Sequence, residues 1–476
     1  MVTVAWCNEE PGDRNSGQGL VYHMEASYGA DLLSIAFDGV SVPTIGINEK
    51  PADQAVIDVE LGQEVQVRVT NELDVPTCLH WHGLKQLGTK EMDGTSGITQ
   101  CHIDPNGTAV YHFTPDKAGT FWWHSHHSTQ YAYGLRGPLI VHPSASERQS
   151  WEEDIAEEFI VQLADQYHDA PVGAPIWDSI LINNRGRYNC TAAASHGFTD
   201  SNQIGSFWMR ATGLHGAPWT GANAEMAGDG FNYEGLAFVY YDTGDNSEPT
   251  SERAVNESTV GEFDFTPLIT TVIPTAPSDC VILEFDLRFG LGYFSIDGKE
   301  YSNFVVPDEP PLFTIAAGLK TEELPDSANA RKIQYGKHIE VVLVNDMSEQ
   351  HPFHLHTHSP WVVGSGTASI DEIRNNTLPP LKLEGAMARD VFTVPSCTYD
   401  ATGACTDVGY LVLRFTADNP GVWIMHCHID WHLDAGLAMV FVEGEEELQE
   451  KGVSAFSNSM LSVCGSMGFT NSSSTS

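Results

Sequence analysis

The chain has 476 residues and a formal net charge of −41 at pH 7, from 23 Lys and Arg against 64 Asp and Glu. Nucleic acids and anionic membranes would repel so acidic a chain, and no run of about eighteen apolar residues predicts a membrane-spanning helix. The length is sufficient for roughly two to four domains with a large buried core. We therefore expect a protein that binds neither nucleic acid nor membrane. We also expect it to be a monomer.

The predicted elements along the chain are short strands separated by turns. Several segments alternate apolar Val, Ile and Leu along their length and are bounded by the turn-forming residues Gly, Pro, Asn and Asp. They are AVIDVELGQEVQVRVTNEL, IEVVLVNDM, YLVLRFTADNPGVWIMH and LAMVFVEG. Such alternation is typical of an all-β sandwich. A strand-like segment followed by a histidine motif occurs near each end of the chain. The first is DVELGQEVQVRVTNEL with HWHG soon after, and the second is GKHIEVVLVNDM with HPFHLH soon after. This similarity predicts an internal domain repeat.

Several features bear on the compartment. The first residues, MVTVAWCNEEPGD, have neither the basic start nor the apolar stretch of a signal peptide. Nine Cys suit an oxidising compartment. Sequons for N-glycosylation occur at Asn106, Asn189, Asn256, Asn375 and Asn471. We expect a secreted glycoprotein with disulfide bonds, although this sequence carries no signal peptide.

Four histidine motifs contain ten of the twenty His. They are HWH, HSH, HPFHLH and HCHIDWH. On a strand, H-x-H places both rings on one face, where they can share a metal cluster. One such pair alone is more often a satisfied or exposed pair of histidines, but four motifs with a central Cys are not explained that way. Cys with His is the ligand set of a blue-copper site, whereas zinc sites rarely need so many histidines.

With these motifs the chain resembles the multicopper oxidases, most closely the fungal laccases. The segments HWHGLKQ, TQCHIDP, GTFWWHSHHSTQ, GLRGPLIV, ILINNRGR, HPFHLHTH, DNPGVW and HCHIDWHLDAGLAMVF follow the order of that family. The resemblance implies three consecutive cupredoxin-like Greek-key β-sandwich domains. The expected bounds are 19–148, 154–275 and 281–445, with a C-terminal tail at 446–476. The middle domain is expected to be incomplete, because only about fifteen residues separate ILINNRGRYNC from IGSFWMRATG, where laccases carry a long β-rich stretch.

The resemblance also implies four coppers per chain. The type 1 copper would be bound by His351, Cys427 and His432, with the non-coordinating Leu437 at the axial position. The type 2 copper would take His80 and His354. The two type 3 coppers would take the remaining histidines of the motifs, which are His82, His124, His126, His356, His426 and His428.

Two acids match family positions near the copper ligands. Asp93 lies eleven residues after His82, and Asp430 follows the HCH motif. Since the reduction of dioxygen to water consumes protons, buried acids near the cluster have a chemical purpose. The alternative for each is a loop acid that forms turn hydrogen bonds. With Cys427 and His432, these acids are the expected catalytic residues.

The resemblance further implies a disulfide between Cys101 and Cys464. Cys397 and Cys405 could close a small loop, and the pairing of Cys7, Cys78, Cys190 and Cys280 is left open. No substrate anchor follows from the family pattern. Asp169 and Asp178 are local candidates whose simpler interpretation is surface acids.

The expected function is a laccase-like oxidation of phenols or aromatic amines, one electron at a time, coupled to the four-electron reduction of dioxygen to water. The partners would be dioxygen and a small reducing substrate. One alternative is a ferroxidase of the same family, with a metal ion as electron donor. Another is an inactive copper-binding or structural relative.

Overall fold

The described part of the chain consists mainly of β-strands. The computed structural model describes residues 20–27, 36–150, 155, 158–168, 177–186, 206–212, 234–240, 263, 265, 267, 271–274, 276–288, 291–301, 303–400 and 404–465. The expected all-β fold is confirmed, with one pair of sheets near each end of the chain. Within the described residues, no helix is long and apolar enough to cross a membrane.

The N-terminal sandwich is formed by two four-stranded sheets. Its strands are β1 (Leu20–Ser27), β2 (Gly46–Ile47), β3 (Ile57–Glu60), β4 (Val65–Asn71), β5 (Leu79–His82), β6 (Thr108–Phe113), β7 (Gly119–Ser125) and β8 (Arg136–His142). The sheet orders are β2-β1-β4-β6 and β3-β8-β7-β5. Strand β4 shows why these residues form a sandwich, because Val65, Val67 and Val69 face the core while the polar residues between them face outward.

Four described strands belong to the middle of the chain. They are β9 (Leu163–Gln166), β10 (Ser179–Ile182), β11 (Ser206–Thr212) and β12 (Glu234–Tyr240). Strand β9 pairs with β10 and β11 pairs with β12, each antiparallel. Most of the expected middle domain, together with Asp169, Cys7 and Cys190, lies outside the described residues.

The C-terminal sandwich contains two larger sheets. Its strands are β13 (Asp279–Arg288), β14 (Leu291–Ile296), β15 (Lys299–Glu300), β16 (Ala330–Ile333), β17 (His338–Asn345), β18 (His351–Leu355), β19 (Trp361–Ala368), β20 (Val391–Val394), β21 (Thr398–Tyr399), β22 (Cys405–Thr416), β23 (Gly421–Cys427) and β24 (Ala438–Glu443). The sheet orders are β15-β14-β13-β17-β22-β19, with β21 on β22, and β16-β24-β23-β18-β20.

The expected internal repeat is present in the strand pairing. Strand β4 pairs parallel with β1 and antiparallel with β6, and strand β17 pairs parallel with β13 and antiparallel with β22. In each sandwich the next strand along the chain, β5 or β18, carries the first histidine motif of that half. The same strand order therefore presents a histidine strand twice.

Helices are short and lie between strands or after the last one. The α-helices are α1 (Pro311–Ala316), α2 (Ile370–Arg374), α3 (Asp430–Asp434), α4 (Glu445–Lys451) and α5 (Asn458–Val463). The 3-10 turns are Ala52–Gln54, Lys90–Met92, Thr321–Glu323, Asp326–Ala328 and Val453–Ala455. Helix α4 follows the last strand, β24.

The two sandwiches pack against each other through a shared core. One apolar cluster contains Trp81 and Trp123 of the N-terminal sandwich together with Ile424 and Val440 of the C-terminal one. The expected disulfide between Cys101 and Cys464 is present, with 5.1 Å between the Cα atoms, and so is the disulfide between Cys397 and Cys405. The C-terminal end is thus covalently attached to the N-terminal sandwich. Among the described residues, Cys78, Cys280 and Cys427 are free thiols.

Candidate metal centre

Eight histidines of the four motifs meet where the two sandwiches face each other. In the N-terminal sandwich, β5 and β7 pair with His80 opposite His124. In the C-terminal sandwich, β18 and β23 pair with His354 opposite His426. The alternation of each strand adds the second histidine of each motif to the same face. The cluster therefore contains His80, His82, His124, His126, His354, His356, His426 and His428.

Ligand atoms within this cluster come close enough to share metal ions. Three groups have all their ligand atoms within 4.8 Å of one another: His80, His82 and His124; His80, His354 and His356; and His126, His356 and His426. His428 lies beside the first group, with ring centroids 5.0 Å from His82 and 5.2 Å from His124. Two of these groups thus combine histidines from both sandwiches, and the first group has His428 of the other sandwich beside it.

A separate candidate site is built around Cys427, whose side chain points away from the histidine cluster. Cys427 Sγ lies 3.6 Å from His351 Nδ1 and 3.6 Å from His432 Nδ1. His351 begins β18 and His432 lies on α3, so the three residues come from two strands and the helix that follows β23. Cys427 and His351 are buried, whereas His432 is partly exposed. Burial raises the pKa of the Cys427 thiol to about 12, so a bound cation is needed to deprotonate it.

The hydrogen bonds of the rings leave free nitrogens that point into the cluster. His80 Nδ1 donates to the carbonyl oxygen of Asp93 at 2.6 Å, and His354 Nδ1 donates to that of Asp390 at 2.6 Å. Among the ten histidines of the four motifs, five have a buried Nε2 atom without a hydrogen-bond partner: His80, His82, His351, His354 and His428. Buried nitrogens of this kind are costly unless something binds them, and a metal ion meets that need.

Burial also keeps most of these imidazoles uncharged. Burial first, and then the charges of neighbouring histidines, lower the pKa of six cluster residues well below 6.5: His82, His124, His126, His354, His356 and His426. The same cause lowers the pKa of His428 to about 4 and that of His351 to about 3. A neutral imidazole has a free lone pair, so the rings are ready to bind metal at neutral pH. The donor set therefore fits copper at both positions.

Asp93 lies against the histidine cluster, where its family position implies. Its Oδ2 accepts hydrogen bonds from His356 Nδ1 at 2.9 Å and from the Thr95 hydroxyl at 2.7 Å. Its backbone carbonyl holds His80 as well. One acid thus orients a histidine from each sandwich, and it is 1% exposed.

Asp430 is buried and, together with His428, lines a cavity of about 670 Å³. The cavity is also lined by Tyr131, Arg136 and Asp165. Burial raises the pKa of Asp430 well above 3.8, and the charge of Asp434 acts in the same direction. The Asp430 Oδ2 has no hydrogen-bond partner among the described residues.

Leu437 lies in the core that surrounds Cys427. It is fully buried, and its carbonyl oxygen accepts a hydrogen bond from the Cys427 N–H at 3.1 Å. Met439 belongs to the same apolar cluster.

Asp178, a candidate substrate anchor, contacts a histidine. Its Oδ2 accepts from the His168 N–H at 2.8 Å, and its Oδ1 lies 3.6 Å from His168 Nδ1. His168 Nε2 donates to Asp38 at 2.7 Å. Asp178 therefore contributes to a contact between the middle of the chain and the N-terminal sandwich.

Two residues of the site were not identified from the sequence. Thr95 contacts Asp93 and His356, and Asp390 supplies the carbonyl that orients His354. Thr and Asp in loops carry no metal-binding pattern, so only the pairing of distant strands identifies them. His358, two residues after His356, is not one of the ten motif histidines, and its Nε2 lies 3.1 Å from Glu443 Oε2.

Known proteins resemble this chain in sequence and in fold. Two family models described as multicopper oxidase match residues 33–146 and 304–447. Laccase-5 of Trametes versicolor is 30% identical to this chain, over 80% of this chain and 82% of its own length. The iron transport multicopper oxidase fetC of Epichloe festucae is 30% identical, over 86% of this chain and 74% of its own length. The crystal structure of Fet3p, a multicopper oxidase that functions in iron import, superposes with a TM-score of 0.73 at 22% identity, over 94% of each chain.

Proposed function

This chain belongs to the multicopper oxidase family of copper-dependent oxidoreductases, and from that premise we propose that it is a laccase-like oxidase of phenols or aromatic amines. In this proposal it takes one electron from each of four substrate molecules and reduces one dioxygen to two waters. The proposal rests on the residues that surround the two candidate sites.

The proposed ligand set binds four coppers. His351, Cys427 and His432 would hold the type 1 copper, and Leu437 would lie beside it without coordinating. The type 2 copper takes His80 and His354. When bound, copper supplies the one-electron chemistry at the first site and the reduction of oxygen at the cluster. The type 3 pair takes the other six histidines of the cluster: His82, His124, His126, His356, His426 and His428.

One observation carries the proposal: neighbouring residues at the end of strand β23 belong to different candidate sites. Cys427 lies 3.6 Å from nitrogens of His351 and His432, while its neighbours His426 and His428 belong to the histidine cluster. Because successive side chains of a strand point to opposite faces, three residues connect both sites through covalent bonds. This arrangement supports electron transfer from the first site to the cluster.

The exposed edge of the first site is His432. His351 is 1% exposed and its ring is covered by Phe285, with ring centroids 5.3 Å apart, whereas His432 is partly exposed. A donor that gives up an electron without entering the core would therefore approach His432. An aromatic donor suits this approach, since its electron leaves from a flat ring in contact with the imidazole edge.

The two acids border the cluster where protons are needed. Asp93 orients His80 and His356 and is bound by Thr95. Asp430 lies buried two residues after His428 and faces the cavity. In the proposed reaction, Asp93 and Asp430 are the acids beside the path of the protons that reduction of dioxygen consumes.

Oxygen uptake tests the proposal directly. The copper-loaded full chain is given 2,6-dimethoxyphenol and, in parallel, ferrous iron. We expect faster uptake with the phenol, and we expect Cys427→Ser to lose both the blue colour and substrate oxidation. The matched control is Cys280→Ser, which removes a thiol from the same sandwich at an exposed position. Full activity in Cys427→Ser would reject the proposal.

The ferroxidase alternative has one structural observation in its favour. Asp286 and Asp346 directly follow Phe285 and Asn345, which are paired between β13 and β17. Burial, then the charges of Asp286 and Glu284, raise the pKa of Asp346. Carboxylates of this kind suit ferrous iron. Faster oxygen uptake with iron, lost in Asp286→Asn with Asp346→Asn, would establish this alternative in place of the laccase.

Copper counting separates an oxidase from an inactive relative. About four coppers per chain fit the proposal, whereas one or none fits a binding or structural protein. We also propose that the chain is secreted, monomeric and glycosylated. Of its sequons, Asn106 and Asn375 lie on exposed turns.

A further inference from the structure

Gly292, the second residue of β14, lies directly against the backbone of Leu437. A Cβ atom at residue 292 would be 2.4 Å from Leu437 N, 2.5 Å from its Cα and 2.6 Å from its Cβ. The φ angle of Gly292 is not in the left-handed region, so glycine is needed here for space and not for conformation. Any side chain at this position would displace either β14 or the loop that carries Leu437.

The loop at 435–437 is hydrogen-bonded to both neighbouring parts of the molecule. Gly292 N–H donates to the Ala435 carbonyl at 2.9 Å, and Phe304 N–H donates to the Gly436 carbonyl at 2.9 Å. These bonds hold the loop between β14 and the segment that contains Phe304. The position of Leu437 is therefore set by neighbouring backbone and not by its own side-chain packing alone.

The same loop is bonded to two candidate type 1 ligands. Leu437 N–H donates to the His432 carbonyl at 2.8 Å, and Cys427 N–H donates to the Leu437 carbonyl at 3.1 Å. His432, Leu437 and Cys427 thus form one hydrogen-bonded unit. His351 is on β18, which pairs directly with β23 at Phe353 and Cys427. A displacement of the loop would therefore move Leu437 and His432 relative to Cys427 and His351.

We propose that Gly292 is a positioning residue of the type 1 site: by having no side chain it lets β14 contact the Leu437 backbone and so fixes how Leu437 faces the metal. This inference rests on the proposed function, because it requires the type 1 ligands assigned above. Gly292 itself touches neither metal nor substrate and acts through Leu437.

Substitution by alanine has a defined consequence. Ordinary carbon contacts lie at about 3.5–4.0 Å, so the new methyl would require a shift of roughly one ångström. Two of the atoms it meets are backbone N and Cα and the third is the Cβ attached to them, so none of the three can rotate away. The loop must then move away from β14, which loosens the packing around Leu437 and admits water. Polar surroundings favour the more highly charged cupric state, so the type 1 reduction potential falls.

The test compares the copper-loaded full chain as wild type, Gly292→Ala and Gly364→Ala. Gly364 lies in β19 of the same sheet, and a Cβ there would meet only side-chain atoms of Leu381 and Val412 at 3.0–3.3 Å. We expect a lower potential and an altered blue absorption band for Gly292→Ala, with both unchanged for Gly364→Ala. Identical values for Gly292→Ala and wild type, or equal shifts in both variants, would overturn the inference.

Hydrogen exchange of the metal-free wild type decides the case if Gly292→Ala does not fold. The inference requires the amides of Cys427 and Leu437 to be protected as strongly as the interior of β24, because β14 holds the loop without metal. Exchange as fast as in exposed loops would overturn it. A wild type without blue copper would instead reject the proposed function, whereas a blue wild type with an unaltered variant rejects this inference alone.

Discussion

Asp93 Oδ2 accepts a hydrogen bond from His356 Nδ1 at 2.9 Å, across the boundary between the two sandwiches. The same residue holds His80 through its backbone carbonyl at 2.6 Å. Both rings belong to the histidine cluster and neither belongs to the site around Cys427. Asp93 therefore couples the orientation of the cluster to the docking of the two sandwiches.

Replacement of Asp93 by Ala should impair the cluster and spare the other site. His356 loses the acceptor that fixes its ring, and loss of such an orienting contact typically costs about 10-fold to 100-fold in metal affinity or activity. We expect copper content to fall from about four toward one per chain, with the blue absorption band retained. Copper analysis and visible spectroscopy on the same sample measure both quantities.

Asp93→Asn is the matched variant, because its side-chain oxygen can still accept the hydrogen bond from His356. It should retain more copper than Asp93→Ala while reducing oxygen more slowly than wild type. If Asp93→Ala lost the blue band together with the cluster copper, the residue would support the whole fold and not the cluster specifically.

Thr357 has a backbone conformation that a β-branched residue rarely adopts. Its φ is +62° and it is 2% exposed. The left-handed conformation costs about 1–2 kcal/mol for such a residue. Thr357→Gly removes that cost but gives the unfolded chain more freedom, at about 0.4–1 kcal/mol. We expect a net gain of up to about 1 kcal/mol, measured as a higher midpoint of urea unfolding.

Thr357→Ala provides the comparison, since alanine retains the Cβ atom. It also removes the hydroxyl that lies 3.2 Å from His358 Nδ1. This variant should not be more stable than wild type. Neither variant has the hydroxyl, so a lower midpoint for Thr357→Gly than for Thr357→Ala would mean that the added freedom of the unfolded chain outweighs the backbone strain.

Much of this site follows from alternation along strands, and that part is predictable from sequence. The faces of His80 and His82 and of His426 and Cys427 follow from their spacing. The contact of Thr95 with His356 joins residues 261 positions apart, and it depends on the docking of two sandwiches. The need for glycine at Gly292 likewise arises from a neighbouring strand. Contacts between distant segments leave no local pattern, which is why these residues were not predicted.

Removal of the Cys101–Cys464 disulfide should release the C-terminal end. The two cysteines are 363 residues apart, whereas Cys397 and Cys405 are separated by 8. A crosslink that closes a longer loop restricts the unfolded chain more, so its loss should cost on the order of 3–5 kcal/mol. Cys464→Ser should therefore lower the melting temperature more than Cys405→Ser does. The reverse order would show that the C-terminal end docks without help from the disulfide.

Glu445, at the start of α4, should make stability depend on pH in the acidic range. Burial alone would raise its pKa, but hydrogen bonds from Thr321, Lys332 and Lys320 outweigh it and lower the pKa from 4.5 to about 2. Since the folded pKa lies below the unfolded one, this carboxylate stabilises the fold fully above pH 4.5. Its contribution disappears as the pH falls toward 2, when the carboxyl becomes protonated in the folded state as well.

Glu445→Gln should therefore be less stable than wild type near pH 6, by on the order of 2–3 kcal/mol, and the difference should shrink steadily below pH 4.5. Urea unfolding of both proteins across this range measures the difference. Glu450→Gln is the control, because Glu450 is an exposed acid of the same helix. A difference between Glu445→Gln and wild type that stayed constant from pH 6 to pH 3 would show that Glu445 acts through packing, because only a charge-dependent contribution disappears when the carboxylate is protonated.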